Sequence, residues 1–329
     1  MMLDVQDKEW LISSVLSVKT LAIIGLEKNT GKTETLNFVV QHIKKLKTIG
    51  LTSIGTDGEE KDIVFGTLKP SVYVDSNFVY TTTELFFKRR TVLSEILHVS
   101  SQSTPTGRVI IARTHESGKV ILSGPPSTVW MSEVVNRLHQ YSELVIVDGA
   151  LSRFSQANPT IADGIILATG AAYSLDKKEI IKHTKYIYNL CNLPTVDEKT
   201  FSILNKKNVI CICDGKEWQE TELKSALDVQ RLKELNSNFS SIYIPGALTD
   251  NVLRHVHDKE IIVKDFTKIF VSYEQFLKYK PKIKVLEKSN IIGITINPYS
   301  PTGYVLDSES IIKELKEIIQ DIPIIDVRR

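Results

Sequence analysis

The stretch VKTLAIIGLEKNTGKTETLNFVV, residues 18–40, constrains this chain more than any other. An apolar run, Leu21-Ala22-Ile23-Ile24, leads into a loop that closes on Gly31-Lys32-Thr33. A helical pattern follows with apolar residues at Leu36, Val39, Val40 and Ile43, predicting a helix from Thr33 to about Lys47. Strand, loop and helix in this order place backbone N–H groups at a helix start. They also supply a glycine where the chain passes close to a ligand, a lysine for charge and a hydroxyl for a metal ion. The usual phosphate-loop pattern puts about four residues between its glycines. Here five separate Gly25 from Gly31.

Around this stretch, short apolar runs alternate with helical periods. Leu51-Thr52-Ser53-Ile54 follows the first helix. A helix predicted over residues 129–141, apolar at Trp130, Val134, Val135 and Leu138, feeds Leu144-Val145-Ile146-Val147. Gly164-Ile165-Ile166-Leu167-Ala168 comes next, then a helix opened by Asp176 and Glu179 at capping-box spacing. Continuously apolar strands joined by helices belong to a parallel sheet covered on both faces, so the expected fold class is α/β with the parallel sheet of a P-loop NTPase.

Between about 61 and 126 the texture changes to short β-branched and aromatic runs, predicting an antiparallel β-rich insertion. Within it, residues 107–113 are expected to pair with 119–122 across the turn Glu116-Ser117-Gly118. From about Ser202 the α/β alternation resumes. The expected division is a nucleotide-binding domain over 1–200 and a C-terminal α/β region over 201–329.

Composition excludes several classes. With 41 basic and 39 acidic side chains in 329 residues, the net charge of +2 gives no electrostatic reason to bind nucleic acid. The clusters Lys44-Lys45-Leu46-Lys47 and Lys88-Arg89-Arg90 read as solvated helix ends. No apolar run has the length of a membrane span, and the opening MMLDVQDKEWLISS lacks the basic start and apolar core of a signal peptide. The three cysteines, two of them in Cys211-Ile212-Cys213, read as small core side chains, which fits a reducing cytoplasm. The seven histidines are scattered, and His255 and His257 would point to different faces of a helix. Nucleophile-elbow spacing is absent.

The candidate site residues follow from the loop. Gly25, Glu27, Lys28, Asn29, Thr30, Gly31, Lys32 and Thr33 would surround a polyphosphate, with Lys32 supplying charge and Thr33 a hydroxyl for Mg²⁺. Asp148 ends an apolar strand before a glycine and is the expected second metal ligand. The acidic cluster Asp57-Gly58-Glu59-Glu60 follows the second strand; Asp57 either orients water or binds the metal, or the cluster is a solvated turn. A guanine site of the N-K-x-D kind is missing, because Asn205-Lys206-Lys207-Asn208 ends in Asn, so ATP is favoured. Asn297, before Pro298, either reads adenine or caps a turn.

The spacing G-x-x-x-x-x-G-K-T resembles the phosphate loop of dethiobiotin synthetase and its relatives in the SIMIBI class. Members with a signature lysine place it where Glu27 stands here, and Lys28 comes one position late. Lys69-Pro70 is similar to a Lys-Pro pair of dethiobiotin synthetase, at a displaced position. Across the chain from about Lys19, the combination GLEKNTGKTETLN, LTSIGTDGEEKD, GTLKPSVYV, VDGALSR and GITINPYSPTGY resembles the ATPase-like subunit of the reactivases that accompany lysine 5,6-aminomutase in lysine fermentation. That resemblance implies an ATP- and Mg²⁺-dependent helper of a B12- and pyridoxal-phosphate-dependent aminomutase, working with a second, MutS-like subunit. The alternatives are a dethiobiotin-synthetase-like ligase acting on a small carboxylic acid and a non-catalytic nucleotide-binding subunit.

Overall fold

The computed structural model describes residues 2–54, 72–148, 157–227, 231–232, 234 and 238–329, with side chains from residue 5 onward. The chain forms two compact units, Met1–Lys185 with Ile291–Arg329, and Tyr186–Asn290.

In chain order the strands of the first unit are β1 (Thr20–Gly25), β2 (Ile49–Ser53), β3 (Val72–Val74), β4 (Val79–Thr83), β5 (Ser94–Thr104), β6 (Gly107–Thr114), β7 (Gly118–Val120), β8 (Leu144–Asp148) and β9 (Gly164–Gly170). The second unit holds β10 (Cys211–Cys213), β11 (Trp218–Glu220), β12 (Ser241–Ile244), β13 (Leu248–Thr249), β14 (Glu260–Val263), β15 (Ile269–Phe270) and β16 (Lys282–Val285). The chain then returns to the first unit as β17 (Ile291–Asn297) and β18 (Ile324–Asp326).

Nine strands form the main sheet, in the order β18-β17-β9-β1-β8-β2-β4-β6-β5. All neighbours from β18 to β4 are parallel, and β6 and β5 add an antiparallel hairpin at one edge. Side chains of a strand alternate between faces. In β8, Leu144 and Ile146 join one apolar core with Leu36, Val39, Val40 and Ile43, whereas Val145 and Val147 join another with Trp130, Met131, Val134 and Leu138. Helices therefore cover both faces, which is why the central strands are apolar at successive positions. The first core is filled from α1 (Met2–Leu16) and α2 (Lys32–Ile43), the second from α4 (Thr128–Leu138), which follows the short α3 (Glu84–Lys88). Helix α4 begins where Ser127 Oγ accepts the Trp130 N–H. The N-terminal helix was not legible in the apolar pattern: of its middle, only Leu11 and Val15 are wholly buried. Leu11 lies where a Cβ at Gly293 of β17 would come within 2.4 Å of its Cδ1. Glycine there lets the helix approach the strand.

Three expectations change. Residues 107–113 do not pair with 119–122. Strand β6 is flanked by β4 and β5, and the β5–β6 turn is Pro105-Thr106 followed by Gly107, whose φ of 101° is left-handed. With both edges of β6 taken, β7 pairs with β3 instead. Second, β4 pairs parallel with β2 on one edge, so the antiparallel character of the insertion is limited to β4–β6, β5–β6 and β3–β7. Third, residues 201–329 are not one region: all seven residues of β17 are buried, and the strand finds that burial between β9 and β18.

In the second unit the sheet order is β11-β10-β12-β14-β16, with β12, β14 and β16 parallel and β10 antiparallel to both its neighbours. Cys191, Cys211 and Cys213 are buried free thiols, and burial, the largest cause, pushes the Cys211 thiol up to about 11. Among the described residues no helix is long and apolar enough to cross a membrane.

Candidate functional site

Parallel pairing brings the carboxyl ends of five strands into one row. Register sets Ile23 of β1 opposite Asp148 of β8, Gly25 opposite Ala168 of β9, Gly170 of β9 opposite Asn297 of β17, and Ile296 opposite Asp326 of β18. The chain leaves β1 for β2 on one side, and leaves β8 for β9 on the other side of β1. Such a reversal opens a crevice at the carboxyl ends, where ligands of α/β sheets gather.

The loop after β1 is folded tightly over the strand end. Leu26 N–H donates to Ala168 O at 3.1 Å, fixing the loop start to β9. Thr30, wholly buried, donates from Oγ1 to Glu27 O at 2.9 Å, and Lys32 Nζ donates to the same carbonyl at 3.0 Å. Gly25 must be bare beneath them, since a Cβ would stand 2.5 Å from Thr30 Oγ1 and 3.0 Å from Lys32 Nζ. Asn29 and Gly31 both have left-handed backbones, at φ 60° and 98°. Gly31 is the N-cap of α2 and provides no side-chain cap, so the helix starts without one. Orphan amides and the positive end of the helix dipole together favour an anion.

Lys32 is partly buried just inside that helix start. Burial lowers its pKa below the ordinary lysine value, against the raising influence of Asp148 and Glu27. A lysine held at a desolvation cost beside one carboxylate suits a ligand that brings negative charge with it. Asp148 lies partly buried at the end of β8 on the same side. Glu27 is exposed and accepts the Lys28 N–H at 3.1 Å. Thr33 is the second residue of α2 and is partly buried.

Asn297, 5% exposed, is packed on the loop: a Cβ on Gly31 would lie 2.6 Å from its Cβ. Its Oδ1 accepts the Tyr299 N–H at 3.2 Å, a turn-capping contact. Thr35 completes the link by donating to Gly31 O at 2.9 Å and meeting Thr295 Oγ1 at 2.7 Å. Loop, helix and β17 are thus bonded together.

The structure therefore gathers Gly25, Glu27, Lys28, Asn29, Thr30, Gly31, Lys32 and Thr33 with Asp148 and Asn297. Asp57 and Glu59, the Lys69-Pro70 pair and Gly149 lie outside the described residues. Gly170, Thr35, Thr295 and Asp326 were missed. Gly170 is marked in the sequence only as a glycine ending an apolar run, and the others carry no local signal because their roles come from neighbouring strands. Among the described residues no group of three His, Cys, Asp or Glu is placed to hold a metal ion. A divalent ion at Asp148 and Thr33 would take its remaining ligands from water and from the oxygens of a bound phosphate, as Mg²⁺ commonly does.

No protein-family model matches the chain, and no curated protein or solved structure matches it.

Proposed function

We propose that the chain binds Mg·ATP in the loop from Gly25 to Thr33 and serves as the ATP-driven subunit of a factor that reactivates a B12-dependent aminomutase of the lysine 5,6-aminomutase type. The observation that carries the nucleotide reading is the uncapped, glycine-lined start of α2, with a partly buried Lys32 within the electrostatic reach of Asp148. The sheet belongs, in this reading, to the P-loop NTPase class. The reactivase reading rests on the sequence resemblance, together with a sequence in which no motif for independent chemistry was found.

Lys32 neutralises phosphate charge, the amide N–H groups at Gly31 to Thr33 donate to the phosphate oxygens, and Thr33 and Asp148 would hold Mg²⁺. The bound ion supplies charge stabilisation on the terminal phosphates. Loop movements on binding and loss of the terminal phosphate shift a docking surface between two shapes, which loosens a damaged cobalamin held in the mutase. The second partner is the MutS-like subunit.

The test uses aminomutase inactivated by turnover and incubated with this chain, the second subunit, fresh adenosylcobalamin, ATP and Mg²⁺. Activity is expected to return with the wild type. Asp148→Asn should keep nucleotide binding but lose about 100-fold or more in turnover and in the rate of recovery, because a neutral amide holds a hard dication poorly. Recovery that is equal without ATP, or equal with Asp148→Asn, overturns the assignment. ATP consumption driven by a small carboxylic acid alone moves it to the ligase.

A further inference from the structure

We propose that the hairpin over residues 298–307 forms the nucleoside side of this site, with the ring of Tyr299 as the platform on which a planar base stacks. The inference rests on the nucleotide reading above and adds to it which residue receives the base.

The row of strand ends has a direction. Asp148 flanks β1 on one side, and Lys32 feels its charge; the terminal phosphates and the metal therefore lie towards β8. The rest of a nucleotide must extend the other way, over β9 and β17, where Asn297 already touches Gly31. Tyr299 stands two residues further on. Its backbone is held by the Asn297 carboxamide and by an antiparallel bridge to Val305. Ser300 N–H donates to Tyr304 O at 2.8 Å and Gly303 N–H to Ser300 O at 3.0 Å, with Gly303 at φ 90° making the reversal. The loop is therefore a closed hairpin, set before any ligand arrives.

Tyr299 is 49% exposed, and it is tied to the first turn of the phosphate helix through Arg328. Arg328 explains its position: the guanidinium carbon lies 5.4 Å from the ring centroid, and the same group donates to Glu34 Oε1 at 2.8 Å in the first turn of α2. The ring is thus fastened from one side to the helix that would hold the phosphates. Half of an aromatic surface remains open, which is what a stacking platform requires.

The same end of the sheet carries a buried carboxylate. Asp326, 2% exposed at the end of β18, accepts the Arg328 N–H at 2.8 Å through Oδ1. Its Oδ2 is buried with no hydrogen bond, 3.8 Å from Arg329 Nε.

Calorimetry on the full chain with Mg·ATP and with Mg·tripolyphosphate separates the two halves of the ligand. Tyr299→Ala should weaken ATP roughly 5- to 100-fold, the range of base–aromatic stacking, and leave tripolyphosphate unchanged. Tyr299→Phe, which keeps the ring, should bind ATP as the wild type does. Equal ATP affinity in wild type and Tyr299→Ala, with tripolyphosphate still bound, overturns this proposal and leaves the phosphate site standing. The same result with loss of mutase reactivation would reassign Tyr299 to protein docking. Wild type that binds neither ligand removes both readings.

Discussion

With Mg·ATP at about a hundred times its dissociation constant, the wild-type protein is expected to gain about 2.7 kcal/mol, which raises the melting temperature of a domain this size by about 5 to 10 °C. Lys32→Met should gain almost nothing. The lysine reaches across the loop to Glu27 O at 3.0 Å, and its charge is the part a polyphosphate needs. Methionine keeps the length of the stem, so the loss reports charge and not packing. Without nucleotide the order should reverse. The folded state lowers the Lys32 pKa, chiefly through burial, so holding the proton costs stability. That cost is complete below the folded value and fades as pH rises through it towards the unfolded value of 10.5. Nucleotide-free Lys32→Met should therefore melt at or above the wild type at pH 7, with the gap closing in alkali. Scanning calorimetry at several pH values reads both effects, and an equal ATP-induced rise in the two proteins would sink the assignment of Lys32.

Gly170→Ala is expected to cost about 3 kcal/mol or more, among the largest single-residue losses in the first unit. Gly170 has φ 146°, and an added Cβ would stand 1.9 Å from Asn297 O and 2.7 Å from its carbonyl carbon. Both are backbone atoms of the paired strand and cannot rotate away. Strands β9 and β17 would have to part where Ala171 N–H donates to Asn297 O at 3.0 Å. Because Asn297 is packed on Gly31, the damage should reach the loop and lower ATP affinity as well. Gly303→Ala is the control. Its φ is also left-handed, at 90°, but nothing lies within 4 Å of the new methyl, so only the backbone penalty of roughly 1–2 kcal/mol applies. Urea unfolding of the two variants should show the difference; equal midpoints would mean that the β9–β17 approach is looser than described.

What the sequence by itself determined is local. Strands β1, β8 and β9 and helices α2 and α4 stand within a few residues of where apolar periodicity puts them, because each buries a face defined by its own neighbours in the chain. The order strand, glycine loop, Lys32, helix was likewise legible, since it depends on consecutive residues. A turn signal in Pro105-Thr106-Gly107 was equally local, and it was passed over for the apolar match between 107–113 and 119–122.

Only the tertiary structure decided which strands are neighbours. β17 lies far along the chain from β9, and nothing in its apolar run says that it leaves the second unit to pair there. That one pairing sets Asn297 on Gly31, Thr295 on Thr35 and Asp326 at the edge of the site. Long-range register is selected by the burial of whole strand faces, which any apolar strand could satisfy equally. A phosphate loop can therefore be read from a few adjacent residues, whereas the far wall of its site exists only once the sheet has closed around it.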